Sequence, residues 1–166
     1  MSKERYRKYW NEEMETMPRE ELIKLKERKL PEAIKRACAS PFYQKRFKEI
    51  GADPNDIKTI DDLEKLPFTT KEDLRKSQQE NPPFGDYCGV SMEKISNIFA
   101  SSGSTGEPTT MLVSHRDVKE IAERAARSLW ATGLRPDDIA QNTYNYQLFA
   151  GAWAAQWGIV ETGATV

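Results

Sequence analysis

Apolar positions along this chain keep helical spacing up to about residue 80 and then change rhythm. Pro18 to Lys29 reads as a helix with a thin apolar stripe of Leu22, Ile23, Leu25 and Leu30. Pro18 stands in its first turn, Glu20 and Glu21 near its positive end, and Lys24, Lys26, Arg28 and Lys29 towards the other. A second helix is expected from Pro31, with Ala33, Ile34, Ala37 and Cys38 on one face. Ser40-Pro41 caps a third, which bears Phe42, Tyr43, Phe47 and Ile50, the aromatics reading as core, and which Gly51 closes. After the turn Asp53-Pro54-Asn55-Asp56, capping-box spacing from Thr59 to Asp62 and from Thr70 to Asp73 predicts two short helices. Residues 81–89 are rich in proline and glycine and mark the boundary between a helical N-terminal region, 1–89, and a second part, 90–166.

The second part alternates strand-like and helix-like stretches. Ile98-Phe99-Ala100 and Met111-Leu112-Val113 are short apolar runs that predict two neighbouring strands. Ser114 with Asp117 starts a helix whose apolar face is Val118, Ile121, Ala122, Ala125 and Leu129, and Gly133 ends it. Lys119, Glu120, Glu123, Arg124 and Arg127 form its wet side. Ile139-Ala140-Gln141-Asn142 reads as a strand, Leu148 to Val160 as a helix ending near Gly163, and Ala164-Thr165-Val166 as the opening of another strand. Strand, helix, strand is a parallel α/β unit, whose strands are normally buried on both faces. The expected fold class is therefore α/β: a helical N-terminal region followed by the start of an α/β subdomain. Because the last strand has barely begun, the chain reads as the front part of a longer protein.

Between the two apolar runs lies Ser101-Ser102-Gly103-Ser104-Thr105-Gly106-Glu107-Pro108-Thr109-Thr110. Hydroxyls and glycines at this density can bend tightly and aim several N–H and O–H donors in one direction, which makes an anion cradle. The nucleotide-binding P-loop does not fit, because that motif needs a lysine after its last glycine and a helix behind it, and here Glu107-Pro108 follows Gly106. Taken alone, the stretch suits an ordinary hairpin turn better than an anion cradle.

Composition narrows the partner. With 25 basic and 26 acidic residues in 166, net charge is −1, which points away from nucleic acid and from an acidic membrane and towards a small molecule or a protein. Cys38 and Cys88 lie in no metal or disulfide spacing and suit a reducing cytoplasm. His115 has no local partner for a metal site or a nucleophile pair and reads as a helix-start residue. The N-terminus is charged and helical, and no apolar run approaches a membrane span. A cytosolic protein is expected.

Ser102-Gly103-Ser104-Thr105-Gly106-Glu107-Pro108-Thr109 resembles the phosphate-binding loop of the adenylate-forming enzymes, the acyl-coenzyme A synthetase superfamily. Leu66-Pro67-Phe68-Thr69-Thr70-Lys71-Glu72-Asp73-Leu74-Arg75 is similar to the segment before that loop in phenylacetate-coenzyme A ligases, and Asn142 to Gly151 to the aryl-pocket segment after it. Ser40-Pro41-Phe42-Tyr43 and Gly51-Ala52-Asp53-Pro54 also fit. Three matches in order, at matching intervals, cover nearly the whole chain from Leu30.

The resemblance implies a two-step reaction: a carboxylate attacks the α-phosphate of ATP to give an acyl-adenylate and pyrophosphate, and coenzyme A then displaces AMP. Such chemistry rests on positioning and on spreading phosphate charge, usually with Mg²⁺, and needs no protein nucleophile. It implies that Ser102, Gly103, Ser104, Thr105, Gly106 and Thr109 hold the β- and γ-phosphates, and that Tyr144, Tyr146, Phe149 and Gly151 line the pocket of an aryl acid. No catalytic or metal-binding residue is expected in this stretch; those, with the residues for adenine and ribose and a lid bearing a catalytic lysine, are expected beyond Val166. The 166-residue chain alone is accordingly expected to be inactive, to expose Trp153 and Trp157, and to self-associate, while the family implies a homodimer. Glu107 and Thr109 stand where relatives have lysines, which weakens the hold on ATP, and Asn145 and Gln147 replace glycines, which narrows the pocket. The alternative reading is a non-enzymatic nucleotide-binding or regulatory module of the same fold.

Overall fold

A computed structural model describes residues 5–101 and 108–166. They form two compact units: residues 18–94, and residues 95–166 together with the N-terminal segment up to Met17. The boundary expected at 89/90 thus falls at 94/95, and the first seventeen residues leave the helical region for the later unit.

The first unit is helical: α2, Arg19–Ala37; α3, Pro41–Glu49; and α4, Lys71–Glu80, with 3₁₀ turns between them, α1 being a single turn at Glu12–Glu15 in the other unit. The break expected at Pro31 is absent, and α2 runs through the proline. An interior proline removes one hydrogen bond and costs about 3 kcal/mol. Against it stands an unbroken stripe at i, i+4 and i+8, Leu30, Ile34 and Cys38, packed with buried Phe47 and Ile57. Each large apolar side chain so buried contributes about 1.5–3 kcal/mol. Packing outweighs the missing bond.

Ser40 caps α3 by accepting from the Tyr43 N–H, and Phe42 and Phe47 are buried as expected, while Ile50 is exposed. Thr70 and Asp73 cap α4 reciprocally. Asp62 accepts from the Thr59 N–H and hydroxyl, but its own N–H donates to the Thr59 carbonyl instead of the hydroxyl, so the box is half made and only a 3₁₀ turn, Asp61–Lys65, follows. The loop 81–89 is closed onto α4 by buried Ser77, which donates to Asp86 Oδ1 at 2.6 Å and accepts from the Asp86 N–H at 2.9 Å.

The second unit is a hairpin packed with two helices. β1, Ile95–Ala100, and β2, Thr110–Ser114, are antiparallel, with Phe99 opposite Met111 and Ala100 opposite Thr110. The two apolar runs are thus neighbouring strands joined by the Ser/Gly stretch. α5, His115–Ala131, starts in the expected Ser114–Asp117 capping box. It ends in a Schellman arrangement: Gly133, at φ +100°, donates to the Trp130 carbonyl and Leu134 to the Leu129 carbonyl. Its buried line is Ala122, Ala126 and Trp130, so the apolar face is turned slightly from the expected one.

α6, Ala150–Thr162, packs against α5 so closely that a Cβ on Gly158 would lie 2.5 Å from Ala125 Cβ. The residues flanking α6 pair in parallel: Ala140 N–H donates to the Thr165 carbonyl at 2.8 Å, and Thr165 N–H to the Asp138 carbonyl at 3.1 Å. The predicted strand–helix–strand order is present as one parallel bridge. Its strands are not covered on both faces, since Ile139 is 84% exposed.

The N-terminal segment belongs here because of Trp130. That indole donates to the Arg7 carbonyl at 3.0 Å and meets Tyr6 edge-on and Trp10 at a tilt. Arg135 lies 4.2 Å from the same ring. No helix among the described residues is long and apolar enough to cross a membrane.

Candidate functional site

The loop residues Ser102, Gly103, Ser104, Thr105 and Gly106, with Glu107, lie outside the described residues. Two hydrogen bonds close the strand ends on either side of them. Ser101 N–H donates to the Thr109 carbonyl at 2.9 Å, and Thr109 N–H donates to Ser101 Oγ at 2.9 Å. Thr109 is 8% exposed, and its Oγ1 is buried without a hydrogen-bond partner among the described residues. A native fold rarely leaves a buried hydroxyl unpaired, and such an atom calls for an occupant.

Ala100 and Thr110 face each other at the end of the ladder, and the Ala100 N–H is directed away from β2. It donates to the Leu148 carbonyl at 2.9 Å. This bond fastens the segment 142–149 directly to the stem of the loop. Sequence order gave no sign of it, because the partners are 48 positions apart.

The segment itself is short of regular structure and rich in directed bonds. Asn142 Oδ1 accepts from the Tyr144 N–H at 3.2 Å, while its Nδ2 donates to the Ala152 carbonyl at 2.9 Å and to the Tyr146 hydroxyl at 2.7 Å. The Tyr146 hydroxyl donates in turn to Gln156 Oε1 at 2.6 Å. Trp153 Nε1 donates to the carbonyls of Tyr146 and Gln147. An aromatic series then runs from Tyr146 through Trp153 and Trp157 to buried Phe99 on β1, with centroids 5.5, 6.3 and 6.1 Å apart. Both tryptophans are half-buried in this series, so the expectation that they would be stranded is corrected. They sit at i and i+4 on α6, where one face meets the 142–149 segment and the strand at once.

Of the four pocket residues, Tyr144 is 69% exposed, Tyr146 and Phe149 are about half as exposed, and a Cβ on Gly151 would meet no protein atom within 4 Å. No protein contact requires glycine at 151. An open cleft of about 520 Å³ lies beside this segment, lined by Leu134, Ile139, Asn142, Tyr144, Ala155 and Ile159 among others. Tyr144 borders it; Tyr146, Phe149 and Gly151 do not. Asn142 and Gln156 carry most of the hydrogen bonding and were not singled out from sequence, although their i, i+4 and i+14 offsets to Tyr146 and along α6 were visible.

The 66–75 segment is fixed within the other unit. Arg46, with its side chain 19% exposed, donates to the Phe68 carbonyl at 2.6 Å and pairs with Asp73 at 3.3 Å. The Asp73 carboxyl is held below its ordinary value, chiefly by the Thr70 backbone N–H, then by the Thr70 hydroxyl and Arg46. The Asp62 carboxyl is likewise held down, first by Lys65 and then by the N–H groups of Thr59 and Lys58. Both are capping groups. Among the described residues no three His, Cys, Asp or Glu side chains converge on a metal site.

No family model matches the chain. It is 39% identical over 155 residues to the phenylacetate-coenzyme A ligase of Thermus thermophilus and 40% identical over 154 residues to that of Escherichia coli. These matches take in 93% and 92% of this chain and 34% of each relative, so the chain spans about a third of their length. Among solved structures, 2-hydroxyisobutyryl-CoA ligase in complex with 2-HIB-AMP and CoA superposes with a TM-score of 0.89 at 34% identity, over 99% of this chain and 36% of that one. Its open conformation also gives 0.89, at 33% identity. Motifs in order, a hairpin-borne Ser/Gly loop and the overall superposition agree: the chain belongs to the phenylacetate- and acyl-coenzyme A ligase superfamily of adenylate-forming enzymes, whose N-terminal portion it matches.

Proposed function

We propose that this chain is the part of an ATP-dependent, phenylacetate-like aryl-acid coenzyme A ligase that holds the β- and γ-phosphates of ATP and one wall of the acyl pocket. The observation that carries the reading is the hydrogen bond from Ala100 N–H to the Leu148 carbonyl. It couples the stem of an anion-cradling loop to an aromatic segment, which is the proximity that attack of a carboxylate on a nucleotide phosphate demands. In that reaction a carboxylate oxygen bonds to the α-phosphorus and pyrophosphate leaves; the thiol sulfur of coenzyme A then takes the acyl carbon and AMP leaves. Ser102, Gly103, Ser104, Thr105 and Gly106 supply N–H and O–H donors in this reading, Thr109 adds its buried hydroxyl, and Tyr144, Tyr146, Phe149 and Gly151 face the aryl group. Catalytic and metal-binding groups are assigned to the remaining length that the relatives have. The isolated chain is assigned no turnover, and the gene product is taken to be a cytoplasmic homodimer.

Thr109 provides the test. Valine keeps its shape and removes an unpaired buried hydroxyl, a change that is neutral or stabilising for the fold. A hydrogen bond to a charged phosphate is worth about 1.5–3 kcal/mol, so Thr109→Val in the full-length gene product should weaken ATP binding by about 10- to 100-fold. Calorimetric titration with ATP beside thermal unfolding reads both. Unchanged affinity at unchanged melting temperature would remove Thr109 from the site.

A further inference from the structure

The proton order around Tyr146 is dictated by the backbone. Asn142 meets one group that can only donate, the Tyr144 N–H, and one that can only accept, the Ala152 carbonyl. Its amide can therefore face only one way, and the Tyr146 hydroxyl must accept from Nδ2. The single phenolic proton is then directed to Gln156 Oε1, at 2.6 Å. Its donor is spent. Ring packing against Trp153, perpendicular at 5.5 Å, fixes the plane in which that proton can lie.

We infer that Gln156, held in the Asn142–Tyr146–Gln156 chain, is a positioning residue that sets acid specificity: it withdraws the Tyr146 O–H donor, so this wall of the pocket presents ring and selects acids without an acceptor there. The inference rests on the reading that Tyr146 faces the aryl group. An acid that places a hydrogen-bond acceptor against Tyr146 must leave it unpaired after desolvation, whereas an all-carbon ring loses nothing. The favoured class is the unsubstituted aryl-acetic acid, and the disfavoured class its ring-nitrogen isosteres.

The experiment compares phenylacetate with the three pyridylacetates, which match it in shape and add an acceptor without a donor. It measures kcat/KM for acid-dependent pyrophosphate exchange by the full-length gene product above the pyridine pKa. Gln156→Met keeps length and loses the strong acceptor, so it frees the phenolic proton. The preference for phenylacetate over at least one pyridylacetate should fall by about five-fold, mainly through KM. Gln156→Glu keeps an acceptor and should hold the preference within about two-fold. Tyr146→Phe added to Gln156→Met removes the donor and should restore it. A preference unmoved in Gln156→Met, with the melting temperature preserved, overturns the inference while leaving the ligase reading intact. Should Gln156→Met fail to fold, Gln156→Leu, which also lacks an acceptor, carries the same comparison. Absence of exchange with every aryl acid by the unmodified protein overturns the reading of the site and this inference with it.

Discussion

Among single residues, Glu107 is the one whose charge bears most directly on the loop's proposed role. Glu107 brings a carboxylate to a stretch read as holding triphosphate, and like charges at short range repel unless solvent screens them. Glu107→Lys reverses that sign. In the full-length protein at low salt, ATP affinity should rise by about three- to ten-fold, with the gain shrinking as ionic strength passes about 0.5 M. Equal affinity at low salt would mean that this side chain is remote from the nucleotide. Thr109 was legible as a candidate from its place in the motif. Its burial and its unpaired hydroxyl were not, because both depend on β1 and β2 closing at Ser101 and Thr109.

At the scale of elements, the signals carried by spacing survived best. Both capping boxes expected at α4 and α5 are present, as are the two strands either side of the loop. Two inferences failed: the Thr59–Asp62 spacing leads only to a 3₁₀ turn, and Pro31 reads as a helix start locally, but the Leu30–Ile34–Cys38 stripe continues through it. The tight α5–α6 crossing was also hidden, since alanine and glycine give little periodic signal. Gly158→Ala tests it. Helix propensity favours alanine by about 1 kcal/mol. A Cβ 2.5 Å from Ala125 Cβ, and 3.0 Å from the Ala125 carbonyl carbon, forces the helices apart, and overpacking of this kind costs about 1–3 kcal/mol. Net destabilisation is expected in chemical denaturation, with Ala125→Gly recovering part of it in a double-mutant cycle. Additive losses would mean that the two positions do not meet.

Acid should act on the 18–94 unit through its capping carboxylates. Asp73 and Asp62 are both held below the ordinary value of 3.8 in the folded chain. The unfolded chain therefore binds more protons in that range, so their contribution is complete above the unfolded value and is lost as pH falls through the folded ones. Urea midpoints should hold from pH 7 to about 5 and drop towards pH 3, and Asp73→Asn should flatten that dependence. A midpoint independent of pH in the unmodified chain would contradict the assignment.

At the scale of the whole molecule, the α/β class and the superfamily were legible because three motifs fall in order, whereas the grouping of the chain was not. Residues 5–17 lie far in sequence from Trp130, and only the folded unit brings Arg7, Trp10 and that indole together. The expected exposure of Trp153 and Trp157 failed for a related reason: the series Tyr146, Trp153, Trp157, Phe99 closes across elements that no local pattern links. The most exposed large apolar side chains are Ile139 and Tyr144 in the second unit and Phe68 in the first.

The reaction proposed for the gene product carrying this chain is adenylation of an aryl acid. Acid-dependent exchange of labelled pyrophosphate into ATP tests it most directly, because exchange needs no acceptor thiol. The assay sets the full-length protein beside the 166-residue chain, with phenylacetate, other aryl acids, 2-hydroxyisobutyrate and fatty acids. Exchange by the full-length protein with aryl acids, and none by the shorter chain, is the expected result. A folded full-length protein that binds ATP and exchanges with no acid would contradict it and make this a nucleotide-binding module.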